Sequence, residues 1–198
     1  MRTLTVYEKV APHWSKKALR LGYVGAYSDF LANSALGSGT VLDVGTGTGT
    51  FAFSWIDAGG SKDITLLDPS SAMLARAQEK FVHRGLNPQI VHSTFEDFPR
   101  HQKFDAILAS HVLELFDAPS GVMQRFADQL SSGGHLYLTV SKPHWCNWMI
   151  WLRFRHRWFR PETICKMAQD VGLTKVRVHN FLTGPPSRTS HGYIFSKP

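Results

Sequence analysis

An acid two residues ahead of three alternating glycines is the chemistry-bearing pattern of this chain. Val41–Ala52 reads VLDVGTGTGTFA, with Asp43 inside an apolar run and Gly45, Gly47 and Gly49 following it. Glycine lets the backbone turn sharply and lets a ligand approach with no Cβ in between. A second acid, Asp68, ends the apolar run Ile64–Leu67. It lies about twenty residues on, where α/β nucleotide sites place a carboxylate against ribose hydroxyls. Two ligand classes compete for the loop. Gly47, Gly49 and Ala52 satisfy the dinucleotide spacing, which would rest a pyrophosphate on the turn. Gly45, however, directly follows Val41–Val44 and reads as the first turn glycine, which sets Asp43 two residues before it. A pyrophosphate gains nothing from that negative charge. A phosphate-free ligand with a cationic group, such as S-adenosylmethionine, does.

The elements that must position these residues alternate between strand and helix signals. Tyr7 to about Leu36 reads as amphipathic helix, and Thr40–Val44 as the first strand. A helix follows the glycine loop to about Ala58, stopped by Gly59-Gly60. Asp63–Leu67 is the second strand. Pro69 and Ser70 open the next helix, capped by Ser70 or Ser71 and running to about His83. Gln89–His92 and Phe104–Ala109 are strands. Gly121–Leu130 is a helix that ends in the turn Ser131-Ser132-Gly133-Gly134, and His135–Val140 is a fifth strand. Pro161–Val171 is a last helix, and Thr174–Phe181 and Ser190–Ser196 form an antiparallel hairpin joined by TGPPSR. The pattern predicts an α/β, doubly wound, seven-stranded sheet, mostly parallel with a C-terminal antiparallel hairpin. At 198 residues the prior is one domain over 1–198, with 1–36 as an N-terminal helical cap.

Four segments in order carry a resemblance to a known family. VLDVGTGTGTFA is similar to the first motif of class I S-adenosylmethionine-dependent methyltransferases. ITLLDPSSAMLARAQEK resembles the second, FDAILASHVLELF the fourth, and LSSGGHLYLTV the turn into strand five. Within that superfamily the chain looks most like the menaquinone/ubiquinone-biosynthesis group, over about Tyr7 to Val140. The resemblance implies a Rossmann-like fold, S-adenosylmethionine as cofactor and S-adenosylhomocysteine as product. It implies that the Gly45–Gly49 backbone, Thr46 included, passes under the methionine and ribose portions. Asp43 would serve the amino end, and Asp68 would accept from the ribose hydroxyls. Pro69, Ser70 and Met73 would flank the adenine, with a core role for Met73 as the alternative. The acid that the family often sets after strand three falls here on Thr94, beside Phe95. The Thr94 hydroxyl or the Phe95 amide would then reach the adenine, with Glu96 and Asp97 solvated. Ser110 and His111 follow strand four, where the family brings its backbone against the methionine moiety. His111 is the candidate base, needed only if the acceptor must lose a proton, and otherwise a packing or cofactor-contacting residue. YEKVAPHW resembles the family's N-terminal segment, which would set Tyr7 and Trp14 at the acceptor pocket.

Charge is divided unevenly. From Lys142 to Pro198 ten Lys/Arg face two acids, while Met1–Ser141 carries twelve against thirteen. The segment 144–160, HWCNWMIWLRFRHRWFR, holds four tryptophans and four arginines, with Trp145, Trp148 and Trp151 at helical spacing. It reads either as a lid over the pocket or as a membrane-surface element that sets Trp and Arg on anionic lipid. Nucleic-acid binding is the least favoured reading, since no known module is recognisable. No apolar run reaches the ~18 residues that span a bilayer. MRTLTVYEKVAPHW has no apolar signal core, and two cysteines without a CxxC fit a reducing cytoplasm. No histidine pattern calls for a metal. The expected activity is cytoplasmic methyl transfer to a small or lipid-like acceptor, a quinone precursor or an aminophospholipid. The alternatives are an NAD-type oxidoreductase and a cofactor-binding protein without catalysis.

Overall fold

The computed structural model describes residues 18–32, 34, 36–145 and 157–198. Its seven strands are β1 (Val41–Val44), β2 (Ile64–Asp68), β3 (Gln89–His92), β4 (Phe104–Ser110), β5 (Leu130–Ser141), β6 (Thr174–Asn180) and β7 (Ser190–Ser196). They form one sheet in the order β3-β2-β1-β4-β5-β7-β6. The first five run parallel, and β7 is antiparallel to both β5 and β6. The expected α/β architecture and its C-terminal hairpin are therefore present. The strand order reverses between β1 and β4, which opens a crevice at their carboxyl ends.

The helices are α1 (Tyr23–Leu31), α2 (Thr50–Asp57), α3 (Ser71–His83), α4 (Pro119–Gln129), α5 (Pro161–Asp170) and α6 (Gly184–Thr189). Side chains alternate between two cores, as the period of a strand requires. Val41, Ala106, Leu108 and Tyr137 pack with α1, α2 and α3. Leu42, Ile107, Ala109 and Leu138 pack with α4 and α5 on the opposite face. Helix α1 is seated by Phe30, which is fully buried, and by Arg177 of β6, which donates to the Phe30 carbonyl and to Ser34 Oγ. That seating carries Tyr23 and Tyr27 to the crevice.

Four expectations need correction. The N-terminal amphipathic stretch is not one helix to Leu36: Gly22, at φ 78°, caps α1, which ends at Leu31. The SSGG turn is an irregular start of β5. Leu130 pairs with Phe104 across a register shift, and Gly133 N–H donates to the Lys197 carbonyl at 2.9 Å. The helix ahead of it begins at Pro119 rather than Gly121, since proline suits a first turn. The TGPPSR link is helical, because α6 occupies it. Its end delivers Ser190 opposite Ser141, at the crevice edge. Tyr7, Trp14, Trp148 and Trp151 lie outside the described residues.

Candidate active site

The chemistry-bearing residues meet because each sits at or just past the carboxyl end of a parallel strand. Asp43 and the glycine loop end β1, Asp68 ends β2, Ser110 and His111 end β4, and Ser141 ends β5. Gly45 adopts φ 64°, and a Cβ there would lie 2.4 Å from Val112 Cγ2. The turn after β4 is thus pressed against the glycine loop. Asp68 ties that loop down. Its Oδ2 accepts the Gly47 amide and its Oδ1 the Ser70 amide, each at 2.8 Å. The Thr46 amide donates to the Leu67 carbonyl and the Gly49 amide to the Thr46 carbonyl. The amides of residues 46, 47 and 49 are therefore spent within the protein and form no nest for a pyrophosphate.

Both acids are buried. Thr46 Oγ1 donates to Asp43 Oδ2 at 2.5 Å. Burial pushes the Asp43 carboxyl up to about 7, the Thr46 hydroxyl opposing and the Asp68 charge adding to the rise. Burial likewise raises Asp68, against the Ser70 and Gly47 amides and the His92 ring. Among the described residues no lysine or arginine forms an ion pair with either acid. Two buried acceptors without a counter-ion suit a ligand that brings a cation and hydroxyl donors of its own.

A cavity of about 370 Å³ opens between them and the β4–β5 edge, within the usual range for small-ligand sites. Of the residues singled out from the sequence, Asp43, Gly45, Thr46, Gly47, Asp68, Pro69, Ser70, Met73, Thr94, Phe95, Ser110 and His111 line it. Gly49 is not among its lining residues; it caps α2 at φ 77°. Ser70 Oγ, rather than Ser71, caps α3 by accepting the Met73 amide at 3.3 Å. Met73 is buried yet reaches the cavity. The Thr94 hydroxyl is engaged elsewhere than expected. It donates to Asp97 Oδ2 at 2.7 Å and accepts the Asp97 amide, a local turn bond that draws Asp97 out of a purely solvated role. Phe95 packs on Phe126, with the Arg125 guanidinium 4.5 Å over its ring. Ser110 Oγ lies between Tyr27 Oη at 2.6 Å and Thr139 Oγ1 at 2.7 Å.

His111 has the one positive φ of a non-glycine residue among the described residues, 54°. Its Nδ1 lies 3.0 Å from Glu114 Oε1 and its Nε2 3.3 Å from Ser190 Oγ. The Tyr23 ring meets it edge-on, with centroids 5.5 Å apart. Glu114, Tyr23, Tyr27 and Ser190 were not singled out from the sequence. Only Glu114 had a legible signal, its place three residues after His111. Apolar Ala18, Leu21, Leu115 and Phe116 also line the cavity. No group of three or more His, Cys, Asp or Glu among the described residues could hold a metal ion.

A family model described as a methyltransferase domain matches residues 17–178. The chain is 30% identical over 115 residues to a mitochondrial ubiquinone biosynthesis O-methyltransferase from Candida albicans, covering 55% of this chain and 34% of that protein. It is 28% identical to a ubiquinone biosynthesis O-methyltransferase from Pectobacterium carotovorum, covering 67% and 53%. The chain thus spans between a third and about half of the length of the curated relatives it matches. A magnesium protoporphyrin IX methyltransferase from Synechocystis PCC 6803, solved with bound SAM (S-adenosylmethionine), shares the fold. Its TM-score is 0.71 at 19% identity, over 92% of this chain and 83% of that one.

The carboxyl at position 43 makes a prediction about pH. A carboxyl raised from 3.8 to about 7 stabilises the fold in its protonated form. That contribution is complete below about pH 4 and is lost as pH rises through about 7. Asp43→Asn should therefore gain stability over the ligand-free wild type between about pH 5 and 8, by at most about 4 kcal/mol. Urea unfolding across that range measures it, and parallel curves would refute the assignment.

Proposed function

The chain belongs to the methyltransferase domain family, and on that premise we propose that it transfers a methyl group from S-adenosylmethionine to a small or lipid-like acceptor. The observation that carries this reading is the pair of buried carboxylates, without a cation among the described residues, facing one cavity across a loop whose amides at 46, 47 and 49 are already spent. Asp43 would meet the ammonium end, Asp68 the ribose hydroxyls, and Met73 and Phe95 the adenine side. The donor, when bound, supplies a methyl carbon activated by its sulfonium. The chain's part is then to align the acceptor and exclude water. His111 stands where an acceptor's proton could go. The apolar wall of Ala18, Leu21, Leu115 and Phe116 favours a quinone precursor or an aminophospholipid over a fully polar metabolite. An NAD-type oxidoreductase is disfavoured, because a pyrophosphate finds two carboxylates and no free amides at residues 46, 47 and 49.

Asp68→Ala should weaken S-adenosylhomocysteine binding at least about tenfold, roughly 1.4 kcal/mol. Calorimetry on variant protein shown to be folded by circular dichroism reads this directly, and equal affinity would displace the ribose assignment. Incubation with radiolabelled donor and extracted lipids, quinone precursors and polar metabolites should label a lipid-soluble fraction. Stabilisation by NAD(H) but not by S-adenosylhomocysteine would reverse the reading, and donor binding with no labelled product would favour a protein without catalysis.

A second reading concerns the membrane. The Phe159 amide donates to the Ser141 carbonyl at 2.9 Å, and the Arg157 amide to the Glu114 carbonyl at 3.4 Å. Trp145 is 73% exposed. The described flank Arg157–Phe159 thus lies beside Ser141 and Glu114, and the Trp and Arg residues of the 144–160 segment suit an anionic lipid surface that presents the acceptor. No described helix is long and apolar enough to cross a membrane. The protein should co-sediment with phosphatidylglycerol vesicles more than with phosphatidylcholine vesicles. Unchanged partition after Trp148→Ala and Trp151→Ala would count against this contact and leave the lid reading.

A further inference from the structure

The turn after β4 buries an acid that the reading above does not use. Glu114 is 2% exposed. Its Oε1 accepts the Ser141 amide at 2.6 Å and faces His111 Nδ1 at 3.0 Å. Its Oε2 is buried with no hydrogen-bond partner among the described residues. A carboxylate oxygen left bare out of water is costly, and each such group in a native protein calls for an explanation. His111 and Glu114 are joined across the 3-10 turn Leu113–Leu115, where residues three apart lie one above the other. His111 enters that turn at φ 54°. A side chain holds such a conformation only where its surroundings over-determine it.

We propose that Glu114 is a positioning residue that keeps the His111 proton on Nδ1 and leaves Nε2 bare, so that His111 receives the proton of a hydroxyl acceptor. This rests on the methyltransferase reading above and narrows its acceptor class. Burial alone would raise the Glu114 carboxyl. The His111 hydrogen bond, its charge when protonated, the Ser141 amide and Glu114's own amide outweigh burial and hold it below the usual carboxylate range. An ionised carboxylate can only accept, so Nδ1 donates across its contact with Oε1, with Ser141 Oγ, 3.2 Å from Nδ1, as a second acceptor beside it, and a neutral imidazole then has its lone pair on Nε2. Ser190 Oγ, 3.3 Å from Nε2, can donate to that lone pair and tether the ring until the acceptor hydroxyl takes its place. Ser190 is fully buried, which removes it as a nucleophile.

The transfer balances as follows. The acceptor's O–H bond breaks and its electron pair forms the new oxygen–methyl bond. The methyl–sulfur bond breaks onto sulfur, leaving a neutral thioether, and the proton moves to Nε2. The imidazolium then lies against the Glu114 charge in a site of low dielectric. A neutral amine attacks through a lone pair it already has and does not need this base. The other titratable groups against the pair are Tyr23 from α1 and Tyr193 from β7. The Tyr193 phenol is raised first by burial and further by the charges of Cys165, Glu162 and Glu114.

The test combines imidazole 15N spectra of the whole chain, calorimetry with S-adenosylhomocysteine, and transfer assays on acceptors from the screen. Wild type and Glu114→Gln are compared. In the wild type the neutral His111 ring should carry its proton on Nδ1, while Glu114→Gln shows both tautomers. Product affinity should stay within about twofold, and transfer to a hydroxyl acceptor near pH 7 should fall roughly 30- to 1,000-fold. That deficit should shrink as pH approaches the acceptor's own pKa, where it arrives already ionised. A wild-type proton on Nε2, or a deficit independent of pH, would overturn the proposal. The wild-type spectrum decides even if Glu114→Gln does not fold. Absence of product binding to the wild type would sink the donor assignment instead, with the tautomer still read.

Discussion

The site depends on keeping two carboxylates out of water at the ends of adjacent parallel strands, with no ion-pairing cation beside them among the described residues. Asp68 makes this tolerable for itself by accepting two backbone amides, one from the glycine loop and one from the start of α3. Asp43 has a single hydroxyl donor, and burial holds its carboxyl near neutrality. An arrangement that is unfavourable without a partner is a good receptor for one, because a bound ammonium or hydroxyl replaces the water that burial removed. One of the bonds that place Asp68 also consumes the Gly47 amide, while backbone carbonyls take those of Thr46 and Gly49.

Opposite these acids the turn after β4 is shaped by a different constraint. Val112 presses on Gly45 while Glu114 reaches across to the Ser141 amide, so residues 111–114 are held from both sides. The strained backbone at His111 follows from that clamping. β7 contributes because it runs antiparallel: its first residue, Ser190, arrives at the edge where the parallel strands end. A hairpin at the far end of the chain thereby becomes part of the wall behind the histidine.

Much of this was legible in the residues alone. The inner strands β1, β2 and β4 are short apolar runs bounded by glycine, proline or polar residues, and such runs are buried on both faces. Asp43, Gly45 and Asp68 stood out because local spacing reports local geometry. Elements set by distant pairing were less legible. The SSGG stretch looks like a turn until Leu130 finds Phe104 and Gly133 finds Lys197. TGPPSR looks like a loop, since its six-residue helix has no apolar repeat to betray it. The Thr94 hydroxyl looked available to a ligand only because its bond to Asp97 cannot be inferred from composition.

The sequence by itself determined the sheet, the position of the ligand loop and the presence of a histidine after the fourth strand, because these follow from periodicity and short spacings. Only the tertiary structure decided what those residues face. Burial, the spending of the loop amides and the meeting of Glu114, Ser141 and Ser190 around His111 all require strands far apart in the chain to lie side by side. Their physical effects, a raised carboxyl at Asp43 and a lowered one at Glu114, come from surroundings that no local pattern encodes.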